Sequence, residues 1–223
     1  MGMWALLPVK SPSQSKTRLT SVLLDQECAA LSWAMLQDMM SALDAAEEVG
    51  TIALLTEDEE VIDFGSQRGY QIIREVPGAG LNASIDTATT ELAEAGVDRL
   101  LILPVDLPTI RSSEIDELCR GHRGGLSVCP AIRDGGTNAL VATPPNAVAA
   151  QFGPDSARQF LKTARENGIS ATRVELRAFE RDIDRPDDLD WLLQQRMTNQ
   201  TSNYLTESGI ADRLQNPTQG AIA

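Results

Sequence analysis

The sequence predicts a three-layer α/β/α fold built on a mostly parallel sheet. Short, nearly continuous apolar runs recur along the chain, as expected of strands covered on both faces. The segments between them carry apolar residues at three- and four-residue spacing, and strand and helix patterns alternate, which is the signature of βα units. At 223 residues and 42% apolar content the chain can bury one large core, and with aromatics at 4% that core is made of Leu, Ile, Val, Ala and Met.

Residues 4–9 read as the first strand, an apolar run from Trp4 to Val9. Residues 25–48 read as a helix because Cys28, Leu31, Met35, Met39, Ala42, Leu43 and Ala46 form one stripe, whose methionines are core rather than cofactor ligands. There follow a strand at 51–55, a helix at 58–67, a strand at 71–74, a helix at 82–95 with Asn82 as its N-cap, and a strand at 99–103. A helix from 112 or 113 to 119 and a strand at 126–129 complete this series. After Gly135 the pattern changes: residues 136–142 are a strand candidate, 156–167 a helix, 171–176 a strand, and 186–195 a helix opened by Pro186 with Asp187 and Asp188 in its first turn. One domain is therefore expected over 1–196. The polar residues 197–223 read as a flexible or weakly helical tail, with Tyr204, Leu205 and Ile210 available to dock on a neighbour.

Composition removes several function classes. A net charge of −13 argues against nucleic acid or an anionic membrane as partner, since both need a basic face. Cys28, Cys119 and Cys129 are widely spaced, with no CxxC, and read as ordinary intracellular thiols. His122, in the turn-like stretch 121–125, is the only histidine, which argues against a His-based triad or a multi-His metal site, so any metal must take oxygen ligands. With no signal-peptide pattern and no long apolar run, the expected location is the cytoplasm.

The candidate chemistry lies where strands end. The first strand empties into a loop carrying Lys10, Lys16 and Arg18, a place to hold a triphosphate, although a solvated basic loop has the same composition. It is not a P-loop: no GxxxxGK[ST] is present, and the first glycine after Gly2 is Gly50. The strand at 99–103 ends in Pro104-Val105-Asp106-Leu107-Pro108, where stiffened backbone suits Asp106 as a magnesium ligand or as a turn cap. Asp182 and Asp184 share a face if that segment is extended. Two carboxylates from distant parts of a sheet edge can hold Mg²⁺ against a triphosphate, and no protein nucleophile is then required. Gly153-Pro154-Asp155-Ser156 at a helix start is an anion site or a plain N-cap.

Taken in order, seven segments resemble the nucleotidyltransferases of the glycosyltransferase-A (nucleotide-diphospho-sugar transferase, Rossmann-like) type, and within them the guanylyltransferases that build coenzyme F-420. They are Pro8-Val9-Lys10 with Lys16-Thr17-Arg18-Leu19, Gly80-Leu81-Asn82, Leu103-Pro104-Val105-Asp106-Leu107-Pro108, Asp134-Gly135-Gly136-Thr137-Asn138-Ala139-Leu140, Phe152-Gly153-Pro154-Asp155-Ser156 and Asp182-Ile183-Asp184-Arg185-Pro186, and they span 4–194. The resemblance implies transfer of GMP from GTP to the phosphate of 2-phospho-L-lactate, phosphoenolpyruvate or 3-phospho-D-glycerate, with release of pyrophosphate. It implies that Pro8, Val9, Lys10, Lys16, Arg18, Gly80, Leu81, Asn82 and Pro104 contact the nucleotide, and that Lys10, Lys16, Arg18 and Asp106 serve the reaction. Asp106 and Asp184 would bind Mg²⁺, or Mn²⁺ in its place, and Thr137, Gly153 and Ser156 would hold the acceptor phosphate, largely through backbone amides.

Departures from the family pattern fall in the acceptor half. Asp155 stands where glycine is common, Ala157 where an aromatic is common, Val105 for alanine and Arg185 for threonine. A carboxylate beside a phosphate site repels the acceptor unless it points away or meets the metal or Arg158. The same fold serves other small-molecule nucleotidyltransferases, of molybdopterin, sugar or isoprenoid type, and a non-catalytic nucleotide-binding regulator is a further alternative. Pro8-Val9-Lys10-Ser11-Pro12 lacks the Gly-rich loop of the molybdopterin enzymes, and a regulator has no need of a full metal and triphosphate set. The expected partners are small molecules, and the expected assembly is a monomer or homodimer.

Overall fold

The computed structural model describes residues 2–215. Strands β1 (Met3–Pro8), β2 (Val49–Thr56), β3 (Gln71–Arg74), β4 (Leu100–Ile102), β5 (Gly125–Pro130), β6 (Thr137–Thr143) and β7 (Ala171–Arg173) form one sheet in the order β3-β2-β1-β4-β6-β5-β7. β1 pairs in parallel with β2 and β4, β2 with β3, and β5 with β7. β6 alone runs antiparallel to both its neighbours, β4 and β5. This is the change of pattern after Gly135: a tight turn, closed by the Ala131 amide donating to the Gly136 carbonyl at 2.9 Å, joins β5 to β6, and so short a connection can only pair strands antiparallel.

Alternation along the strands divides the core into two layers. Ala5, Leu7, Leu54, Leu101 and Val141 face α1 (Asp25–Asp44), α2 (Glu59–Gln67) and α4 (Ser112–Gly121), joining Leu36, Met39, Val61 and Ile115. Leu6, Ala53, Leu55, Ile102, Val128 and Leu140 face α3 (Leu81–Glu94) and α5 (Ser156–Glu166), joining Ile85, Ala88, Ala157 and Phe160. Complete burial on both faces is why these strands read as continuous apolar runs. The three-layer α/β/α prediction therefore holds, and no helix among the described residues is long and apolar enough to cross a membrane.

Boundaries moved where tertiary contacts intervened. α1 stops at Asp44 rather than at residue 48, because the Glu48 amide donates to Asp116 Oδ1 at 2.9 Å and Glu48 pairs with Arg120, peeling the chain away to begin β2. The N-cap of α3 is Gly80 at φ 80°, not Asn82, which lies inside the first turn with its side chain engaged elsewhere. β7, the sheet's edge, ends at Arg173 rather than at residue 176.

The largest difference lies after α6 (Pro186–Gln194). Where the sequence predicted a flexible or weakly helical tail, α7 (Gln200–Glu207) and α8 (Ile210–Gln215) pack on the chain's own α1. Leu205 and Ile210 are fully buried beside Leu31 and Met35, and Asp38 on α1 accepts from the amides of Gln200 and Thr201 at 2.8 and 2.9 Å, capping α7 from outside. An Arg213–Glu27 ion pair at 2.7 Å closes the far end. The remaining residues of the predicted tail, 216–223, lie outside the described residues.

Candidate active site

The sheet order reverses its direction of growth at β1 and β4, and a cavity of about 420 Å³ opens there at the carboxyl ends of the strands. Its wall takes Pro8, Val9, Lys10, Lys16 and Arg18 from the loop after β1, Pro104, Val105 and Asp106 from the turn after β4, Leu81 from α3, Thr137 from β6 and Asp184 from the turn before α6. Ser32, Met35 and Leu36 supply part of it from α1.

The basic loop is a built structure rather than a solvated one. Two short 3-10 turns, Pro12–Gln14 and Thr17–Leu19, shape it; Leu19 is fully buried under α6, and Ser15 Oγ bonds Ser32 Oγ at 2.5 Å. Lys16 stands between the turns in a left-handed conformation, φ 58°, a backbone state that a non-glycine residue holds at a cost. That conformation directs its side chain inward, where it is only 8% exposed: Nζ lies 2.6 Å from Asp106 Oδ2 and 3.8 Å from Asp184 Oδ1. Arg18 pairs with the same Asp184 from the solvent side. Lys10 is exposed on the cavity wall, near enough to Glu75 for its charge to oppose the rise that burial imposes on that carboxyl.

The two carboxylates meet because the segment 182–184 folds onto the β4 turn, with the Ile183 amide donating to the Asp106 carbonyl at 3.0 Å. Asp106 Oδ1 is buried and has no hydrogen-bonding partner among the described residues, an acceptor poised for a cation. Asp182, which the sequence reading did not assign to the metal, is held above the usual carboxylate range by burial and by the negative charge of Asp106, partly offset by Asn138 and Lys16. No group of three or more metal-binding side chains is arranged as a ready site among the described residues. The donor set suits a hard ion that takes one or two carboxylates and completes its shell with phosphate and water.

The acceptor residues divide differently. Thr137 lines the cavity, and Ser156, fully buried, stands behind it with the two hydroxyls 2.8 Å apart. The start of α5 does not offer the free amides expected of it. The amides of Asp155, Ser156 and Ala157 donate to the carbonyls of Asp134, Gly153 and Gly135 at 3.0, 3.1 and 3.1 Å. These bonds lock the glycine turn 134–136 against α5, and a Cβ on Gly136 would lie 2.8 Å from Asp134 Oδ1. Asp155, at φ 58°, is turned onto Arg158, which lowers its carboxyl below the usual range. Of the conditions under which that carboxylate could sit beside an anion site, pairing with Arg158 is the one met.

Of the nucleotide segment Gly80-Leu81-Asn82, Leu81 reaches the cavity wall. Asn82 instead clamps Phe152, its Oδ1 accepting from the Phe152 amide at 2.8 Å and its Nδ2 donating to the Phe152 carbonyl at 3.1 Å, and so sets Phe152 in the wall. That clamp and the contribution of α1 escaped the sequence reading. Ser32 within the apolar stripe of α1 was the available signal.

A cation-lined loop thus faces paired carboxylates across the switch point of a sheet with the nucleotide-diphospho-sugar transferase fold of the glycosyltransferase-A type. The structural neighbours agree: a protein described as a nucleotide-diphospho-sugar transferase from Desulfovibrio desulfuricans G20 is similar at TM-score 0.79 and 20% identity over 96% of this chain and 97% of that one. A cytidylyltransferase from Leptospira borgpetersenii is similar at TM-score 0.59 and 15% identity over 100% and 99% of the two chains. The chain belongs to the CofC-like guanylyl transferase family, whose pattern matches residues 3–222. Among its relatives are a phosphoenolpyruvate guanylyltransferase from Sphaerobacter thermophilus, 34% identical over 84% of this chain and 91% of the relative, and a 3-phospho-D-glycerate guanylyltransferase from Phenylobacterium zucineum, 36% identical over 82% and 86%. A 2-phospho-L-lactate guanylyltransferase from Methanothermobacter thermautotrophicus is 30% identical over 83% and 81%.

Proposed function

We propose that the protein moves the GMP group of GTP onto the phosphate of a small phosphorylated carboxylic acid, releasing pyrophosphate, as a step in building coenzyme F-420. The observation that carries this reading is the convergence of Lys16, Arg18, Asp106 and Asp184 on one cavity, in a chain whose relatives bear the names of guanylyltransferases for three such acids. Supporting it is the size of the cavity, about 420 Å³, at the lower end of the range for small-molecule sites.

In this reading an acceptor phosphate oxygen attacks the α-phosphorus of GTP in line, forming a P–O bond there as the bond to the bridging oxygen of the β-phosphate breaks. The chain's work is positioning and charge neutralisation, which dominate phosphoryl chemistry. Lys10, Lys16 and Arg18 face the triphosphate, and Pro8, Val9, Leu81 and Pro104 shape the nucleotide's wall. Thr137, oriented by Ser156, faces the acceptor, with Gly153 at its border. Asp106 and Asp184 would hold Mg²⁺, or Mn²⁺, with Asp182 beside them; the Asp106 Oδ1 that has no partner among the described residues and the lysine lodged between the carboxylates support a site for positive charge. When bound, the ion supplies charge neutralisation on the phosphates.

The test is pyrophosphate release by the purified protein with Mg²⁺, crossing GTP, ATP, CTP and UTP against phosphoenolpyruvate, 2-phospho-L-lactate and 3-phospho-D-glycerate. Release with GTP and one acid supports the reading and names the acceptor. Release with CTP or UTP, or with no member of the grid, overturns it.

A further inference from the structure

We propose that the ion pair between Arg133 and the buried Asp188 is a positioning device that holds Asp184 in register with Asp106, so that divalent-metal binding depends on two residues that do not touch the metal. The inference rests on the reading of Asp106 and Asp184 as metal-facing carboxylates. Asp188 is fully buried in the first turn of α6, and its Oδ2 accepts from the amides of Asp184 and Arg185 at 3.1 and 2.8 Å. One carboxylate thus fixes the backbone of the very residue that closes the site. Its other oxygen, Oδ1, is bound by Arg133 at 2.5 Å and faces Arg181 at 3.7 Å.

Arg133 comes from the turn between β5 and β6, distant in sequence, and also pairs with Asp187 at 2.7 Å, so that both carboxylates hold its guanidinium protonated. Beside it the Ile132 amide donates to the Glu180 carbonyl at 2.8 Å. Two ion pairs and one backbone bond therefore tie the glycine turn that precedes Thr137 to Glu180 and the start of α6, the two ends of the turn that carries Asp182 and Asp184. The same glycine turn is bonded to the start of α5 through the carbonyls of Asp134 and Gly135. Arg133 thus joins by charge the turn next to Thr137 and the start of α6 behind Asp184. A guanidinium suits this role because it bonds two carboxylates at once in fixed geometry.

Supports of this kind, one shell removed from a metal, typically change its affinity ten- to a hundredfold. Removing Arg133 alone strands a buried carboxylate, so the variant of choice is the double substitution Arg133→Met with Asp188→Asn, which removes both charges and keeps an amide oxygen to accept from Asp184 and Arg185. Mn²⁺ alone, titrated against the protein and followed by electron paramagnetic resonance, is expected to bind about tenfold more weakly to the double variant than to the parent. In pyrophosphate release the KM for Mg²⁺ is expected to rise by about the same factor, with kcat at saturating metal and the KM for GTP within about threefold. Arg133→Lys, which keeps one ion pair, is expected to fall between the two and carries the same test if the double variant folds poorly.

Asp106→Asn serves as the reference. If it loses Mn²⁺ while the double variant and Arg133→Lys bind Mn²⁺ as the parent does, the positioning role is overturned and the metal reading stands. If Asp106→Asn itself binds Mn²⁺ like the parent, the metal reading fails and takes this inference with it.

Discussion

The two halves of the cavity are built on opposite principles. On the side read as the nucleotide's, charged groups from three distant segments pair with one another, Lys16 with Asp106 and Asp184 and Arg18 with Asp184, and one buried Asp106 oxygen has no partner among the described residues. On the acceptor side, the polar groups satisfy one another. Thr137 bonds Ser156, Asp155 pairs with Arg158, and the amides at the start of α5 are bonded to the turn 134–136. In the proposed reading a site of the first kind is completed by a cation and a triphosphate, so its binding energy goes into charge. A site of the second kind is preorganised and selects by shape and by the few side chains that reach the cavity. Of the departures from the family pattern, Asp155 and Ala157 lie at the start of α5 while Val105 and Arg185 adjoin Asp106 and Asp184, and the charged residues Lys16, Arg18, Asp106 and Asp184 are themselves in place.

The comparison is broken most directly at Asp106. Asp106→Asn is expected to lower kcat about a thousandfold with an unchanged far-UV circular dichroism spectrum, because it removes a charge from the reacting region and no backbone hydrogen bond depends on that side chain. Near-parent turnover would move the metal elsewhere. Lys16→Ala is expected to reduce kcat/KM for GTP about a hundredfold while the acceptor KM stays within about threefold. The opposite split would transfer Lys16 to the acceptor half.

Thr137→Val sharpens the other side. Losing a hydrogen bond to a charged acceptor group is expected to raise the acceptor KM about tenfold and leave the KM for GTP unchanged. Ser156→Ala, acting through Thr137, should have the smaller effect of the two. Asp155→Gly is expected to change kcat/KM for each acid less than about threefold, since the carboxylate is turned onto Arg158 and glycine accepts the positive φ without strain. A switch of preferred acid would show that Asp155 faces the substrate after all.

The smallest effect concerns the helical clasp behind the nucleotide half. Burial raises the Glu27 carboxyl, but hydrogen bonds from Arg213 and from the Leu24 amide outweigh it and leave the group below its ordinary 4.5. A depressed carboxyl contributes stability that is present above its unfolded value and is lost as pH falls through the folded one. Amide hydrogen exchange of residues 200–215 is therefore expected to be slow at neutral pH and to accelerate, relative to the sheet, below about pH 4. Uniform protection of sheet and tail across that range would remove the ion pair from the clasp.

Much of this molecule was legible in its residues because apolar periodicity is a local property. Leu100, Leu101 and Ile102 announce a doubly buried strand, and Met35 and Met39 a helix stripe, whatever their neighbours turn out to be. Lys16, Asp106 and Asp184 were legible as charges at the ends of strands, but not as partners in one ion-pair cluster. Pairing depends on which strand ends meet, and the order of the sheet decides that. The tail was misjudged for the same reason: Thr201, Leu205 and Ile210 are too sparse to predict a packed helix by periodicity, and their burial depends on the matching face of α1 and on Asp38 as a distant cap.

By itself, then, the sequence determined the layers and the chemical class of the protein, since strand burial, charge and motif order are written in neighbouring residues. Tertiary structure alone decided that β6 reverses against β4, that the amides before α5 are already bonded, and that Arg133 and Asp188, far apart in the chain, meet beneath Asp184. Each of these is a pairing between segments remote in sequence, and only closing the sheet brings such segments within hydrogen-bonding distance.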